Sequence, residues 1–127
     1  MTRIDHIALY VRDLEGAKAF FTACFDGTAG EKYENPKTGF SSYFLTFSGG
    51  SRLELMHLDD LTDAPADHAA GYAHAAFSVG SREAVDALTT RLAAEGYPVL
   101  SGPRITGDGY YESCVCGFEG ILLEITV

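Results

Sequence analysis

A chain of 127 residues, 46% apolar and 21% charged, suits one globular domain with a real core, and its net charge of −9 argues against nucleic acid or an anionic membrane surface as partner. No apolar run approaches the roughly 20 residues of a membrane-spanning helix, and the opening "MTRIDHIALYV" lacks the cationic, apolar and cleavable regions of a signal peptide. Cys24, Cys114 and Cys116 are an odd number without an export signal, so reduced thiols in a cytoplasmic protein are the expectation.

The first predicted element is a strand, in which Ile7, Leu9 and Val11 alternate with His6, Ala8 and Tyr10. Asp13 is a good N-cap, Glu15 suits a helix N-terminus, and the helix runs to about Phe25 with Gly27 as its stop signal. A short strand near Glu31 to Glu34 follows. Gly39 to Ser48 and Ser51 to Leu58 then read as a hairpin around a two-residue Gly49-Gly50 turn. The polar, proline-containing "DDLTDAPADHAAG" from Asp59 to Gly71 reads as a linker.

Beyond the linker the same order returns. A strand containing His74, Ala75, Phe77 and Val79 leads to a helix capped by Ser81, carrying Glu83 in its first turn, reaching about Glu95 and stopping at Gly96. A short strand near Pro98 to Leu100 precedes "GYYESCVCG" and "GILLEITV", a strand pair joined through Phe118 and Glu119. The spacing repeats as well: His6 to Asp13 and His74 to Ser81 are both seven residues, His6 to His74 is 68 positions, and Glu54 to Glu124 is 70. Both glutamates lie in a Leu-Glu-aliphatic triplet, "LEL" and "LEI". The chain therefore reads as two copies of one α+β unit, a strand and a helix followed by about three strands.

A carboxylate inside a strand of aliphatic residues is costly unless it is paired, neutralised or metal-bound. Strand side chains alternate faces, so His6, Glu54, His74 and Glu124 all fall opposite the regular apolar row that the helices should cover. Two imidazoles and two carboxylates on one face suit a divalent ion such as Zn²⁺, Ni²⁺, Co²⁺, Mn²⁺ or Fe²⁺. Taken singly, each is more often a hydrogen-bonded or edge-exposed residue; it is the repetition of the pair that points to metal. His57 and His68 have no counterpart in the other copy and read as surface or loop residues. Cys114 and Cys116 share a strand face, but no second Cys or His pair stands at zinc-finger spacing. Tyr10 shares the His6 face, while Tyr110 and Tyr111 either line a pocket or pack.

The stretches "DHIALYVRDLEGAKAFF", "RLELM", "GYAHAAFSV" and "GDGYYESCVCGFEGILLEI" resemble the vicinal oxygen chelate superfamily, which includes glyoxalase I, extradiol dioxygenases, methylmalonyl-CoA epimerase and the fosfomycin and bleomycin resistance proteins. The resemblance implies a single domain over residues 1–127. It would consist of two tandem βαβββ modules, about 1–60 and 71–127, forming a curved mixed sheet around a metal-bearing cavity. It implies His6, Glu54, His74 and Glu124 as ligands of one divalent metal ion per site, and a homodimer. The ligand set is similar to that of bacterial-type glyoxalase I, which implies a lyase or isomerase acting on a small-molecule substrate with vicinal oxygens through an enediolate. Glu124 would be the catalytic base, with Tyr10, Tyr110 and Tyr111 as substrate-binding residues. Tyr10 stands where glyoxalase I has a glutathione-binding arginine and Leu58 where it has an asparagine, departures that imply a substrate not strictly linked to glutathione; Gly117-Phe118-Glu119-Gly120 replaces its Asp-Pro-Asp-Gly turn, which bears mainly on turn geometry. The epimerase commonly has glutamine at the Glu54 position, and the fosfomycin enzymes and dioxygenases use two histidines and one carboxylate. The competing reading is a protein of bleomycin-resistance type that sequesters a drug or metabolite in an aromatic-lined groove, for which seven tyrosines and eight phenylalanines leave material.

Overall fold

Asp13 starts the first helix as its side chain predicts: Oδ1 accepts the Gly16 N–H at 2.9 Å, satisfying one of the donors left free at a helix start. The computed structural model describes residues 1–127, with this helix, α1, over Leu14–Phe25. Leu14, Ala17, Phe20, Phe21, Cys24 and Phe25 are buried, the three- and four-residue spacing of one helical stripe. The left-handed turn that ends α1 is made by Asp26, at φ 56°, and not by Gly27. Gly27 serves instead as a close approach, since a Cβ there would meet the Phe47 ring at 3.1 Å and the Phe21 carbonyl at 3.2 Å.

The chain divides into two compact units, Met1–Ala64 and Pro65–Val127. In the first, β1 (His6–Tyr10), β2 (Thr28–Ala29), β3 (Tyr33–Asn35), β4 (Phe40–Thr46) and β5 (Arg52–His57) form a mixed sheet in the order β1-β5-β4-β2, with β3 also on β4. β1 runs parallel to β5; the other pairings are antiparallel. The single strand expected near Glu31 to Glu34 is thus two short pieces, β2 and β3, both on β4. The β4–β5 loop is also longer than a two-residue turn, because Leu45 pairs with Leu53 while neither Gly49 nor Gly50 takes the positive φ that a tight primed turn requires. Leu45, Leu53 and Leu55 are buried against α1 with Tyr43. Along β1 the apolar row is covered only progressively, from Ile7 at 43% exposed to Val11 at 1%.

The second unit holds β6 (Ala75–Ser78), α2 (Arg82–Ala94), β7 (Val99–Ile105), β8 (Tyr111–Cys116) and β9 (Leu122–Thr126) in a sheet of order β6-β9-β8-β7, with β6 parallel to β9. The Ser81 hydroxyl accepts the Ala84 N–H at 3.1 Å, and Gly96 follows the helix at φ +95°. His74 stands one residue before β6 and not inside it. β7 is longer than expected from Pro98 to Leu100, and its pairing with β8 shifts register on both sides of Ser101. A 3-10 turn, Phe118–Gly120, joins β8 to β9. Residues 58–74 carry no helix or strand, and no helix of the chain is long and apolar enough to cross a membrane.

Each helix is tied to its sheet by a polar contact at an equivalent strand position. Tyr43 pairs across the sheet with Leu55, and Ser113 with Ile125. The Tyr43 hydroxyl donates to the Glu15 carboxylate, at 2.5 Å from Oε1, and the Lys18 ammonium lies 4.6 Å from its ring centroid. In the second unit the buried Thr89 hydroxyl meets Ser113 Oγ at 2.7 Å and the Val85 carbonyl at 2.7 Å. The bond to Glu15 pushes the Tyr43 hydroxyl up to about 12, and the same bond holds Glu15 below its ordinary value.

Tyr43→Phe should lower stability by about 1 kcal/mol near neutral pH, the net worth of one hydrogen bond to a charged group half in water. Because the Tyr43 pKa is raised from 10.0 to about 12, the unfolded tyrosine ionises first, and the difference between wild type and variant should persist below pH 10 and vanish on going to 12. Glu15 has its pKa depressed, so the contribution is present above 4.5 and lost as acid titrates the folded carboxyl. Urea unfolding of both proteins across pH measures both limbs. Gly102 stands at φ +79°, where a Cβ would land on the Glu112 carbonyl oxygen. Gly102→Ala should therefore cost about 2–4 kcal/mol in the same assay.

Candidate metal centre

Parallel pairing of β1 with β5 sets Ala8 beside Glu54 and His6 beside Arg52. His6 and Glu54 are therefore diagonal neighbours on one face, and the Ala8 methyl leaves the space above the carboxylate clear. His6 Nε2 lies 3.7 Å from Glu54 Oε1, with the Glu54 side chain 15% exposed and the imidazole 39%. The imidazole meets the Phe44 ring edge-on at 5.1 Å, and Phe44 is the residue directly across from Glu54 on β4. On the far side of the ring, His6 Nδ1 is 2.9 Å from Asp5 Oδ2. Asp5 in turn accepts from Arg52 Nη2 at 2.7 Å and from Arg3 Nη2 at 3.4 Å. The Arg52 hydrogen bond is the main reason that the Asp5 carboxyl is held at about 2. The Arg52 guanidinium also covers the Phe44 ring at 4.2 Å.

The second unit repeats the pair with different surroundings. Ala76 pairs with Glu124, and His74 Nε2 lies 3.2 Å from Glu124 Oε2. These residues line a cavity of about 420 Å³ together with Asp108, Tyr110, Glu112 and Thr126. Cys114 is directly across from Glu124 on β8, and Glu112 across from Thr126. At the equivalent points the first unit has Phe44 and Ser42. Burial raises the Glu112 carboxyl, and hydrogen bonding and repulsion from Glu124 raise it further. Burial likewise raises the Cys114 thiol, with the charge of Glu124 next in weight. Glu112 and Asp108 are not among the residues that the repeat singles out, because neither has an acidic counterpart in the first copy. The signal available for Glu112 is its period: it alternates with Tyr111 and Ser113 and so shares the face of Cys114, opposite Glu124.

The remaining predicted residues divide. Tyr10 is exposed at the end of β1 on the His6 face, and Tyr110 is exposed and lines the cavity. Tyr111, expected beside it at the substrate, is committed to the helix side of the sheet: its hydroxyl donates to Asp86 of α2 at 2.5 Å, with the Arg82 guanidinium 4.8 Å over its ring. His57 is a half-buried residue at the end of β5 and not in a loop; its Nδ1–H donates to the Val11 carbonyl at 2.9 Å and ties the end of β5 to the end of β1. His68 sits in a turn at φ 60°, and all three cysteines are free thiols.

Donor chemistry and spacing fit a divalent ion in part. Imidazole and carboxylate donors bind such ions at about 2.0–2.2 Å, which separates neighbouring donors by about 3 Å on an octahedron and about 3.4 Å on a tetrahedron. The pairs, at 3.7 Å and 3.2 Å, lie near those edges. Neither unit gathers a group of three or more His, Cys, Asp and Glu side chains that could hold a metal ion; each brings one histidine beside one glutamate.

Comparison with known proteins places the chain. Residues 3–125 match the Glyoxalase/Bleomycin resistance protein/Dioxygenase superfamily. The uncharacterised protein YqjT of Bacillus subtilis (strain 168) is 32% identical over 113 residues, 85% of each chain. The mitochondrial methylmalonyl-CoA epimerase of Bos taurus is 36% identical over 55 residues, 43% of this chain but 31% of that protein, so the match spans about a third of the epimerase. In fold, a glyoxalase family protein from Bacillus cereus superposes with a TM-score of 0.81 at 22% identity, over 99% of this chain and 93% of its own. Two mixed sheets with one helix each, a His–Glu pair at the same register in both, and a family match along nearly the whole length lead to one conclusion: the chain belongs to the glyoxalase/bleomycin resistance protein/dioxygenase superfamily.

Proposed function

We propose that His6, Glu54, His74 and Glu124 are ligands of a divalent ion, and that the protein is a lyase or isomerase of glyoxalase type acting on a small substrate with adjacent oxygens. The observation that supports this reading is the duplication. Two separate stretches of sequence each bring a histidine Nε2 within 3.7 Å or less of a glutamate oxygen, each across a small alanine, at the same register. A chance pair need not recur at the same register in a second sheet. When bound, the ion would supply electrostatic stabilisation where negative charge develops on the substrate oxygens.

Glu124 is the base in this reading. It faces the cavity, where it takes a proton from the carbon beside a carbonyl and returns it to the neighbouring carbon. Glu112 lines the same cavity, and its carboxyl is raised by burial and by the hydrogen bond and charge of Glu124. Tyr110 provides aromatic surface at the same cavity, and Tyr10 provides it on the first unit. The acidic lining from Asp108 and Glu112 repels polyanionic carriers, which agrees with Tyr10 and Leu58 standing where a glutathione-linked enzyme has its arginine and asparagine. The substrate is therefore small and weakly charged, and the protein works as a homodimer. A second reading, sequestration of an aromatic compound, draws on the exposed Tyr10, Tyr33 and Tyr110.

Metal analysis of protein purified without an affinity tag separates the two. The enzyme reading expects close to one divalent ion per chain, with affinity falling by more than about 100-fold in His6→Ala and in His74→Ala. A panel of 2-oxoaldehydes, thiol adducts and diols with several added metals should reveal turnover, and Glu124→Gln should lower it by about 10²–10⁴. Metal-free protein that binds aromatic compounds would establish sequestration instead. Full turnover in Glu124→Gln would remove Glu124 from the role of base.

A further inference from the structure

We propose that Asp5 is the positioning residue of the first histidine, setting His6 with its hydrogen on Nδ1 and its Nε2 lone pair free toward Glu54, with Arg52 clamping Asp5 in that place. A neutral imidazole has one hydrogen for two nitrogens, and two carboxylates compete for it. Asp5 Oδ2 lies 2.9 Å from Nδ1, whereas Glu54 Oε1 lies 3.7 Å from Nε2, beyond hydrogen-bond reach. An ionised carboxylate only accepts, so the short contact places the hydrogen on Nδ1 and leaves Nε2 as an electron-pair donor. The opposite tautomer would aim a hydrogen at Glu54 and remove His6 as a ligand.

Asp5 is held at two points by one residue. Its backbone carbonyl accepts the Arg52 N–H at 2.9 Å, and its carboxylate accepts from Arg52 Nη2 at 2.7 Å. The guanidinium of Arg52 lies 4.2 Å over Phe44, and the Phe44 ring meets His6 edge-on at 5.1 Å, which closes the set around the imidazole. The second histidine has no such device. Ala73 precedes His74, Leu122 stands two residues before Glu124 as Arg52 does before Glu54, and Cys114 takes the place of Phe44. The two histidines are therefore inequivalent: His6 is set in advance, and His74 adapts.

The purpose of this arrangement rests on the metal site proposed above, but its first test does not. Long-range ¹H–¹⁵N correlation of the metal-free, ¹⁵N-labelled full chain, at a pH where the rings are neutral, reads each tautomer directly. His6 should be the Nδ1–H form in wild type and mostly Nε2–H in Asp5→Ala, with His74 unchanged as an internal reference. Asp5→Asn, whose amide oxygen still accepts from Nδ1–H, should restore much of the wild-type form. Chelator competition with Zn²⁺ should show a loss of about 10–100-fold in Asp5→Ala and a smaller loss in Arg52→Met. Wild-type His6 in the Nε2–H form, or tautomer populations unmoved by Asp5→Ala, would overturn the proposal. If Asp5→Ala does not fold, Arg52→Met carries the same readout, and an unshifted His6 there would overturn the clamp. Wild-type protein with Nδ1–H on His6 that takes up no Zn²⁺ in the chelator competition would uphold the positioning and sink the metal centre.

Discussion

The parallel pairing between the first and last strands of each unit is the constraint on which the candidate centre depends. It sets Ala8 against Glu54 and Ala76 against Glu124, so that a histidine two residues upstream reaches diagonally across a methyl group to the carboxylate. A slip of one residue would turn each glutamate toward the helix and each leucine toward the open face, because strand side chains alternate. The buried Leu53, Leu55, Leu123 and Ile125 prevent that slip, and the helices that cover them hold the register. Core packing and site geometry are thus one arrangement seen from two faces of the same strands.

Duplication has kept the pair and changed its surroundings. In the first unit the imidazole is bounded by an aspartate and an aromatic ring, and one guanidinium contacts both of these. In the second it opens on a cavity lined by carboxylates, in which burial and Glu124 together raise Glu112. The helix-to-sheet ties differ in the same way, a tyrosine–glutamate bond with a lysine over the ring in one unit and a buried serine–threonine pair in the other, at equivalent strand positions.

Membership of the superfamily accounts for the fold and for the duplicated order of elements, while the chemistry stays with particular side chains. Glyoxalases, epimerases and resistance proteins share this scaffold, and what separates them is the ligand set and the lining of the cavity. Here two histidines and two glutamates stand in two pairs, and the second pair opens on a cavity also lined by Asp108 and Glu112.

What the amino-acid order determined by itself was local and periodic. The caps at Asp13 and Ser81 need only a side-chain oxygen two or three residues from a free N–H, and the alternation around Glu54 and Glu124 needs only the pleat, so both were legible along with the repeat. Even some local readings failed, where a neighbour far away in sequence intervened. Gly27 lies against the Phe47 ring while Asp26 takes the left-handed turn, and the Leu45–Leu53 register leaves a longer loop around Gly49 and Gly50. Tertiary structure alone decided which polar residues meet. It turned Tyr111 toward Asp86, brought Glu112 beside Glu124, tied His57 to Val11, and ran Arg52 through Asp5 to His6. Each of those contacts depends on strand pairing across tens of residues, and pairing is chosen by the burial of the whole apolar face, not by any residue in the contact.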